Sequence, residues 1–251
     1  EANGLRGLSL SPEVVVRAGD PVSEILKQTS AVAYDLVVIG SRRKRSTGLY
    51  WRSERTYEAI KLIPPPVLIA TGARDSIKKL LVCTGGKRFI DNAVNLTGQL
   101  AVCLGASVTL LHVAAEPPAI YADLVRLEED VEALLASGSE LGRNLLRQKQ
   151  RLEKFGVKTE IRVRHGLVVD QVFEEVRAGG QDLIVTGMSQ ARGPLRHYIM
   201  GDVTRSIVNR ANCPVLVARA GKESGGPDGL WNALKQLFAG SGNPTKQASA
   251  S

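Results

Sequence analysis

Three glycines, Gly187, Gly193 and Gly201, punctuate the stretch GMSQARGPLRHYIMGDVTRS over residues 187–206. It follows an apolar run, Asp182-Leu-Ile-Val-Thr, and leads into a segment of helical periodicity. A glycine-bearing connection between a strand and a helix can hold phosphate. Bare backbone N–H groups approach the anion closely, and the helix N-terminus adds partial positive charge. Simple turns share this pattern, so the glycines alone assign no ligand. Gln190 lies three residues after Gly187, and Asp202 and Val203 follow Gly201 directly. A carboxylate at Asp202 is expected to serve the free N–H groups of the helix itself, as an N-cap, and to repel an incoming anion. A second turn, Gly85-Gly86, closes the run Leu80-Leu-Val-Cys-Thr, and Val113 ends a third apolar run that begins at Ala106.

Cations surround these turns: Lys87 and Arg88 after the first, Arg192, Arg196 and His197 in the second, and Arg42, Arg43, Lys44 and Arg45 in an earlier loop. Two readings stand, namely side chains that replace backbone contacts to a phosphate, and a solvated rim of no worth to binding. Catalysis has less to rest on. His112, His165 and His197 have no neighbouring Ser, Cys or carboxylate set that would mark a nucleophile and its base, so the chain is expected not to be an enzyme. Cys83, Cys103 and Cys213 are far apart and form no CxxC pair. They suit free thiols in a reducing cytoplasm, without a zinc site.

The elements that position these residues follow from an internal repeat. VVVRAGDPVSEILKQTSAVAYDLVVIGS resembles EIRVRHGLVVDQVFEEVRAGGQDLIVTGM, with Gly19, Val22, Asp35 and Gly40 standing 147 positions before Gly166, Val169, Asp182 and Gly187. After the loop the offset is 148, with Pro66-Val-Leu-Ile-Ala against Pro214-Val-Leu-Val-Ala. Each copy is expected to run strand, helix, strand, loop, helix, strand, starting at Val14–Val16 in the first. The strands are continuous Val, Ile and Leu runs, as in a parallel sheet covered on both faces, and Val169, Val172, Phe173 and Val176 have helical spacing. The fold class is α/β, a doubly wound parallel sheet. Residues 76–220 form a complete unit, with further strands at Ile77–Cys83 and Ala106–Val113 and a long, partly broken helix over 122–155. Residues 1–75 hold only the back half of one, since the counterpart of the front half would lie before Glu1. Because the chain starts with Glu1 rather than Met and inside a unit, it is expected to be part of a longer product. Residues 221–251 are expected to be a linker, a short amphipathic helix at Leu230–Phe238 and a disordered tail.

The second unit resembles the universal stress protein family over essentially its whole length. GDVTRSIVNRANCPVLVAR is similar to that family's ending of Gly, Ser or Thr, a helix and Cys-Pro-Val-Leu-Val, and IKLIPPPVLIA repeats the resemblance in the first unit. The resemblance implies an adenine nucleotide alpha hydrolase-like fold and ATP or another adenine nucleotide as ligand. Family members that bind it carry G-x2-G-x9-G-[ST]. Here Gly187, Gln190, Gly201 and Asp202 hold those positions, with one extra residue in the longer spacer, and Gly40, Arg43, Ser53 and Glu54 hold them in the first copy. Gly85 stands where the family's nucleotide binders have an Asp. Weak or altered nucleotide binding is therefore expected. The resemblance also implies self-association through the last strands, Val67–Ala70 and Val215–Ala218, which can pair within one chain. Slow hydrolysis or self-phosphorylation, with Thr204 and Ser206 near the loop, is implied by the resemblance alone.

Two functions stay open: a stress-response signalling module sensing an adenine nucleotide, and a ligand-free scaffold for dimerisation or regulation, such as the cytoplasmic part of a transporter. The 251 residues carry a net charge of +8, but only 4% are aromatic and no nucleic-acid motif occurs, so a nucleic-acid partner is not expected. No apolar run is long enough to span a membrane, and the protein is expected to be soluble and cytoplasmic.

Overall fold

A computed structural model describes residues 13–41, 54–71, 76–85, 91–114, 131–190, 198–199 and 201–219. The first unit contributes α1 (Pro21–Ala31), β1 (Val37–Ser41), α2 (Glu54–Leu62) and β2 (Val67–Thr71). The second begins with β3 (Lys79–Cys83), α3 (Asp91–Leu104), β4 (Ser107–Ala114), α4 (Val131–Ala136), α5 (Glu140–Lys154) and β5 (Thr159–His165). It closes with α6 (Val168–Gly179), β6 (Leu183–Gln190), β7 (Tyr198–Ile199), α7 (Asp202–Arg210) and β8 (Val215–Arg219). The basic loop at Arg42–Arg45, the 221–251 segment and the start of the helix expected from 122 lie outside the described residues; from 131 onward that helix is the pair α4 and α5.

One sheet runs in the order β1-β2-β8-β6-β3-β4-β5, with β7 paired to β6. Apart from β7, neighbours are parallel except at one junction, β2 against β8, which is antiparallel. The strands alternate between two cores. Leu81, Ile184, Val215 and Val217 face one side with Val22, Ile60, Phe173 and Ile207 from α1, α2, α6 and α7. Leu80, Val82, Leu183, Val185 and Leu216 face the other with Val94, Leu145 and Leu152 from α3 and α5. The period of two in every strand thus sends consecutive apolar residues to opposite covered faces.

Two parallel ladders share a register across the 147- and 148-residue offsets. Val37 pairs with Val67 in β1–β2, and Ile184, 147 positions after Val37, pairs with Val215, 148 after Val67. At the antiparallel junction Val67, Leu68 and Ile69 face Val217, Leu216 and Val215. Leu68 therefore meets its own counterpart, and a local two-fold passes through the Leu68–Leu216 pair. Tyr57 and Arg205 are also counterparts, and the Arg205 guanidinium carbon lies 5.3 Å from the centre of the Tyr57 ring. A cation over an aromatic face is attractive, whereas two arginines meeting across a symmetric version of this junction would repel.

Arg219, the last residue of β8, fastens the junction. Its buried guanidinium donates to the Pro65 carbonyl at 3.1 Å, to the Ile63 carbonyl at 2.7 Å and to the Ile60 carbonyl. It also lies 3.0 Å from the Met188 sulfur. Ile60 lies in the last turn of α2, Ile63 directly follows the helix and Pro65 belongs to the connection to β2, so a fixed cation there satisfies backbone acceptors at the negative pole of α2 and in the turn beyond it.

Val14–Val16 form no strand, contrary to the expectation for the first copy, and Val14 and Val16 are 70% and 90% exposed. In the second unit the matching segment is β5, which is held by β4. Among the described residues the first unit has no strand in that place, and an extended segment without a ladder partner gains nothing from being extended.

Arg219→Met keeps the aliphatic stem and strips the donors from buried carbonyls. It should cost about 3 kcal/mol in urea unfolding at an unchanged m-value. A change below about 0.5 kcal/mol, the size of a neutral surface substitution, would show that the junction does not need this cation.

Candidate functional site

The order of strands creates a crevice. From β3 the chain crosses to β4 on one side, while β6 lies on the other, so the carboxyl ends of β3 and β6 form a switch point of the kind where open α/β sheets bind ligands. Gly85 follows β3 by two residues and is exposed. Val113, near the end of β4, is two residues past Leu111, the partner of Cys83, and so lies level with Gly85. Gly187 pairs with Ala218. The structure thus brings Gly85, Val113, Gly187 and the start of α7 to one edge of the sheet. Gly86 and Gly193, and the cations Lys87, Arg88, Arg192, Arg196 and His197, lie outside the described residues.

Two expectations about the loop change. Gly187 and Gln190 do not belong to a turn. β6 continues through both: Gly187 pairs with Ala218 of β8, and beyond it Tyr198 and Ile199 fold back and pair antiparallel with Gln190 and Ser189. A ladder partner lengthens the strand beyond Thr186, where its apolar run stops. None of Gly85, Gly187 and Gly201 has a positive φ.

Asp202 is not the cap of α7 either. Gly201 occupies the cap position with φ −63° and ψ 158°, and no side chain bonds there. Asp202 is the first helical residue, exposed, with its charge in the first turn. One step inside the helix, a carboxylate acts on the helix dipole rather than as an N-cap acceptor. Space is open at Gly201, where an added Cβ would meet nothing within 4 Å. Val203 is 39% exposed on the same turn.

The hydroxyls at the site work structurally. Thr204 is buried and donates to the Gly187 carbonyl at 3.1 Å, leaving its oxygen to accept from Thr186, also at 3.1 Å. This chain pins the first turn of α7 to β6 and removes Thr204 from the groups available for reaction. Across the crevice, buried Thr84 donates to Gln148 Oε1 at 2.9 Å, and its carbonyl lies 3.0 Å from His112 Nδ1. A carbonyl only accepts, so Nδ1 carries the proton and His112 braces the turn before Gly85.

Thr84, Gln148 and Thr186 were not singled out by the sequence. For Gln148 a signal existed: Leu141, Leu145 and Leu152 form the apolar stripe of α5, and Gln148 falls on it at helical spacing.

Cys83 ends β3 beside this crevice. Desolvation, with a smaller contribution from Cys213, pushes its thiol up to about 12 from an ordinary 9.0. It is therefore protonated at neutral pH and a poor nucleophile.

These features define a class, a doubly wound α/β sheet with its switch point at the carboxyl ends of β3 and β6. The family follows from comparison. Residues 76–219 match the universal stress protein family, and the chain belongs to it. It is 26% identical over 147 residues to the universal stress protein MJ0531 of Methanocaldococcus jannaschii, covering 58% of this chain and 84% of the relative. It is 24% identical over 146 residues to YxiE of Bacillus subtilis, covering 56% and 98%. Among solved structures, a universal stress protein from Archaeoglobus fulgidus matches 88% of this chain and 75% of its own, with a TM-score of 0.62 and 20% identity. A universal stress protein from Pseudomonas aeruginosa matches 95% and 80%, with a TM-score of 0.61 and 16% identity. These structural likenesses establish the fold. Among the described residues no helix is long and apolar enough to cross a membrane.

A thiol reagent at pH 8 should leave Cys83 unmodified in the folded chain and label it in denaturant. Because folding raises this pKa, the unfolded chain releases the proton first, and stability should fall as pH rises between 9.0 and about 12. Cys83 is half-buried, so rapid native labelling at pH 8 would contradict the raised pKa of its thiol.

Proposed function

We propose that the chain is a stress-response binding module of the universal stress protein type whose adenine-nucleotide crevice is remodelled, so that it holds ATP weakly. The observation that carries this reading is the exposed carboxylate of Asp202 in the first turn of α7. A phosphate approaching the free N–H groups of that turn meets a like charge where the family's motif has a hydroxyl. The strand order that makes the switch point supports this reading, as does Gly201, where among the described residues an added Cβ would meet nothing within 4 Å. A role in binding rather than turnover is supported by the hydrogen bonds that occupy the nearby hydroxyl and imidazole. Thr204 is committed to Gly187, and His112 to Thr84.

A second reading, a ligand-free regulatory scaffold, draws on the β6–β7 ladder. Ser189 and Gln190 there pair with Ile199 and Tyr198 instead of forming an open glycine turn.

Calorimetric titration with ATP, ADP and AMP separates the two. For the wild-type chain the dissociation constant for ATP should be weaker than about 1 mM, and Asp202→Ser should tighten it at least tenfold, the effect of about 1.4 kcal/mol. Micromolar binding by wild type that Asp202→Ser leaves unchanged would overturn the role given to Asp202. Silence from both proteins would favour the scaffold.

A further inference from the structure

β5 ends the sheet on the side of β4, and two arginines stand on one face of it. Arg162 and Arg164 pair in register with Leu111 and Val113 of β4. Leu111 and Val113 belong to the core beneath α6, so both arginine side chains leave the strand on the α6 side.

The face that α6 turns towards them is not wholly apolar. Val172, Phe173 and Val176 pack into the core, yet Glu175 beside them is only 4% exposed. Its Oε2 accepts from Arg164 Nε at 2.8 Å and lies 2.7 Å from Arg164 Nη2. One turn earlier, Gln171 Oε1 accepts from Arg164 Nη1 at 3.4 Å. Exchanging a buried ion pair for well-packed apolar residues is often neutral or stabilising, so stability does not account for a carboxylate here. What the pair supplies is a guanidinium held in place. Three of its five N–H bonds are used in this way, which leaves one on each terminal nitrogen.

Arg164 keeps 31% of its side chain exposed and lines an open cavity of about 420 Å³ together with Arg162, Val163, His165 and Gln171. Neither Glu175 nor Glu160 is among the lining residues. Glu160 pairs with Arg162 at 2.7 Å, but both side chains are more than half exposed, and such a pair is worth little in water. Arg162 can therefore turn to another anion at small cost. Gln171 gives its Oε1 to Arg164, which leaves its amide nitrogen as a donor.

The cavity is separate from the crevice. β3 and β4 stand between β5 and β6. Glu175 lies about two turns into α6, which runs back from the carboxyl end of β5, so its hold on Arg164 draws the fork down the flank of the sheet.

We propose that this cavity binds a small phosphate monoester, with the Arg164 fork fixed by Glu175, Arg162 as a second fork released from Glu160, and the Gln171 amide as a further donor. The donors favour phosphate over carboxylate. Two forks and an amide exceed what two oxygens in one plane accept well, whereas a tetrahedral group with three terminal oxygens takes them from different directions. The volume is that of a small-molecule site rather than of a single ion. This inference does not depend on whether ATP enters the crevice.

Nuclear magnetic resonance titration of the 251-residue chain at constant ionic strength tests it, with glycerol 3-phosphate and acetate as probes. The Arg164 Nε–H and Gln171 side-chain amide signals should shift saturably with glycerol 3-phosphate, with a dissociation constant of about 1 mM, and acetate should bind about tenfold more weakly. Arg162→Gln should weaken the phosphate ester by about fivefold or more. Arg164→Gln combined with Glu175→Gln leaves no unpaired buried charge and should abolish the saturable shift while the rest of the spectrum stays that of a folded chain. Should that pair of substitutions unfold the chain, Arg162→Gln, at an exposed residue, decides the matter alone. Wild-type shifts that rise linearly with concentration, or that saturate equally in Arg162→Gln, would overturn the proposal. So would a response confined to Asp202 and Val203, which would place the anion at α7, or acetate binding as tightly as the ester.

Discussion

The antiparallel ladder between β2 and β8 holds the first unit in the fold. β1 and β2 alone are two short parallel strands, too few to persist in water, and they become part of a sheet only because β2 continues it from β8. Both strands come from the same position in the repeat, so the ladder has a local two-fold, yet the contacts around it are not symmetric. Tyr57 faces Arg205, and Arg219 crosses to the end of α2 while its counterpart is the short Thr71. These unlike partners favour pairing inside one chain over pairing of two identical second units. The same ladder uses up the β2 and β8 edges that two copies would otherwise share.

The crevice depends on this arrangement through α7. That helix packs Ile207 and Val208 into the core that also holds Ile60 and Ile63 of the first unit. Its first turn is tied to β6 by the Thr186–Thr204–Gly187 chain. The position of Asp202 at the mouth of the crevice is therefore fixed by core packing on one side and by two buried hydroxyls on the other.

Much of the fold was legible because its signals are local and repeated. Continuous apolar runs gave the strands of a parallel sheet, and the offsets of 147 and 148 recur as ladder registers. What escaped depended on partners distant in sequence. Val14–Val16 have the residues of a strand but no neighbour to bond. Gly187 and Gln190 looked like a turn because nothing nearby announces that Gly187 pairs with Ala218 or that Tyr198 folds back on Gln190. Asp202 was displaced by a single residue, since Gly201 takes the extended conformation of the cap. The strand ends at Gly85, Val113 and Gly187 were readable from the apolar runs, while the hydrogen bonding around them was not: Thr84 and Gln148 meet across 64 residues of sequence.

The central claim is that the last strands of the two units pair within one chain. Leu68→Cys with Leu216→Cys, in a background where Cys83, Cys103 and Cys213 are replaced by Ala, places two thiols on facing residues of an antiparallel pair. Their Cα separation there, about 4.5–5.5 Å, suits a disulfide. Mild oxidation followed by non-reducing electrophoresis and mass spectrometry should give a cross-linked monomer at every protein concentration. A disulfide-linked dimer that dominates even in dilute solution would mean that these strands pair between copies, and would contradict the account.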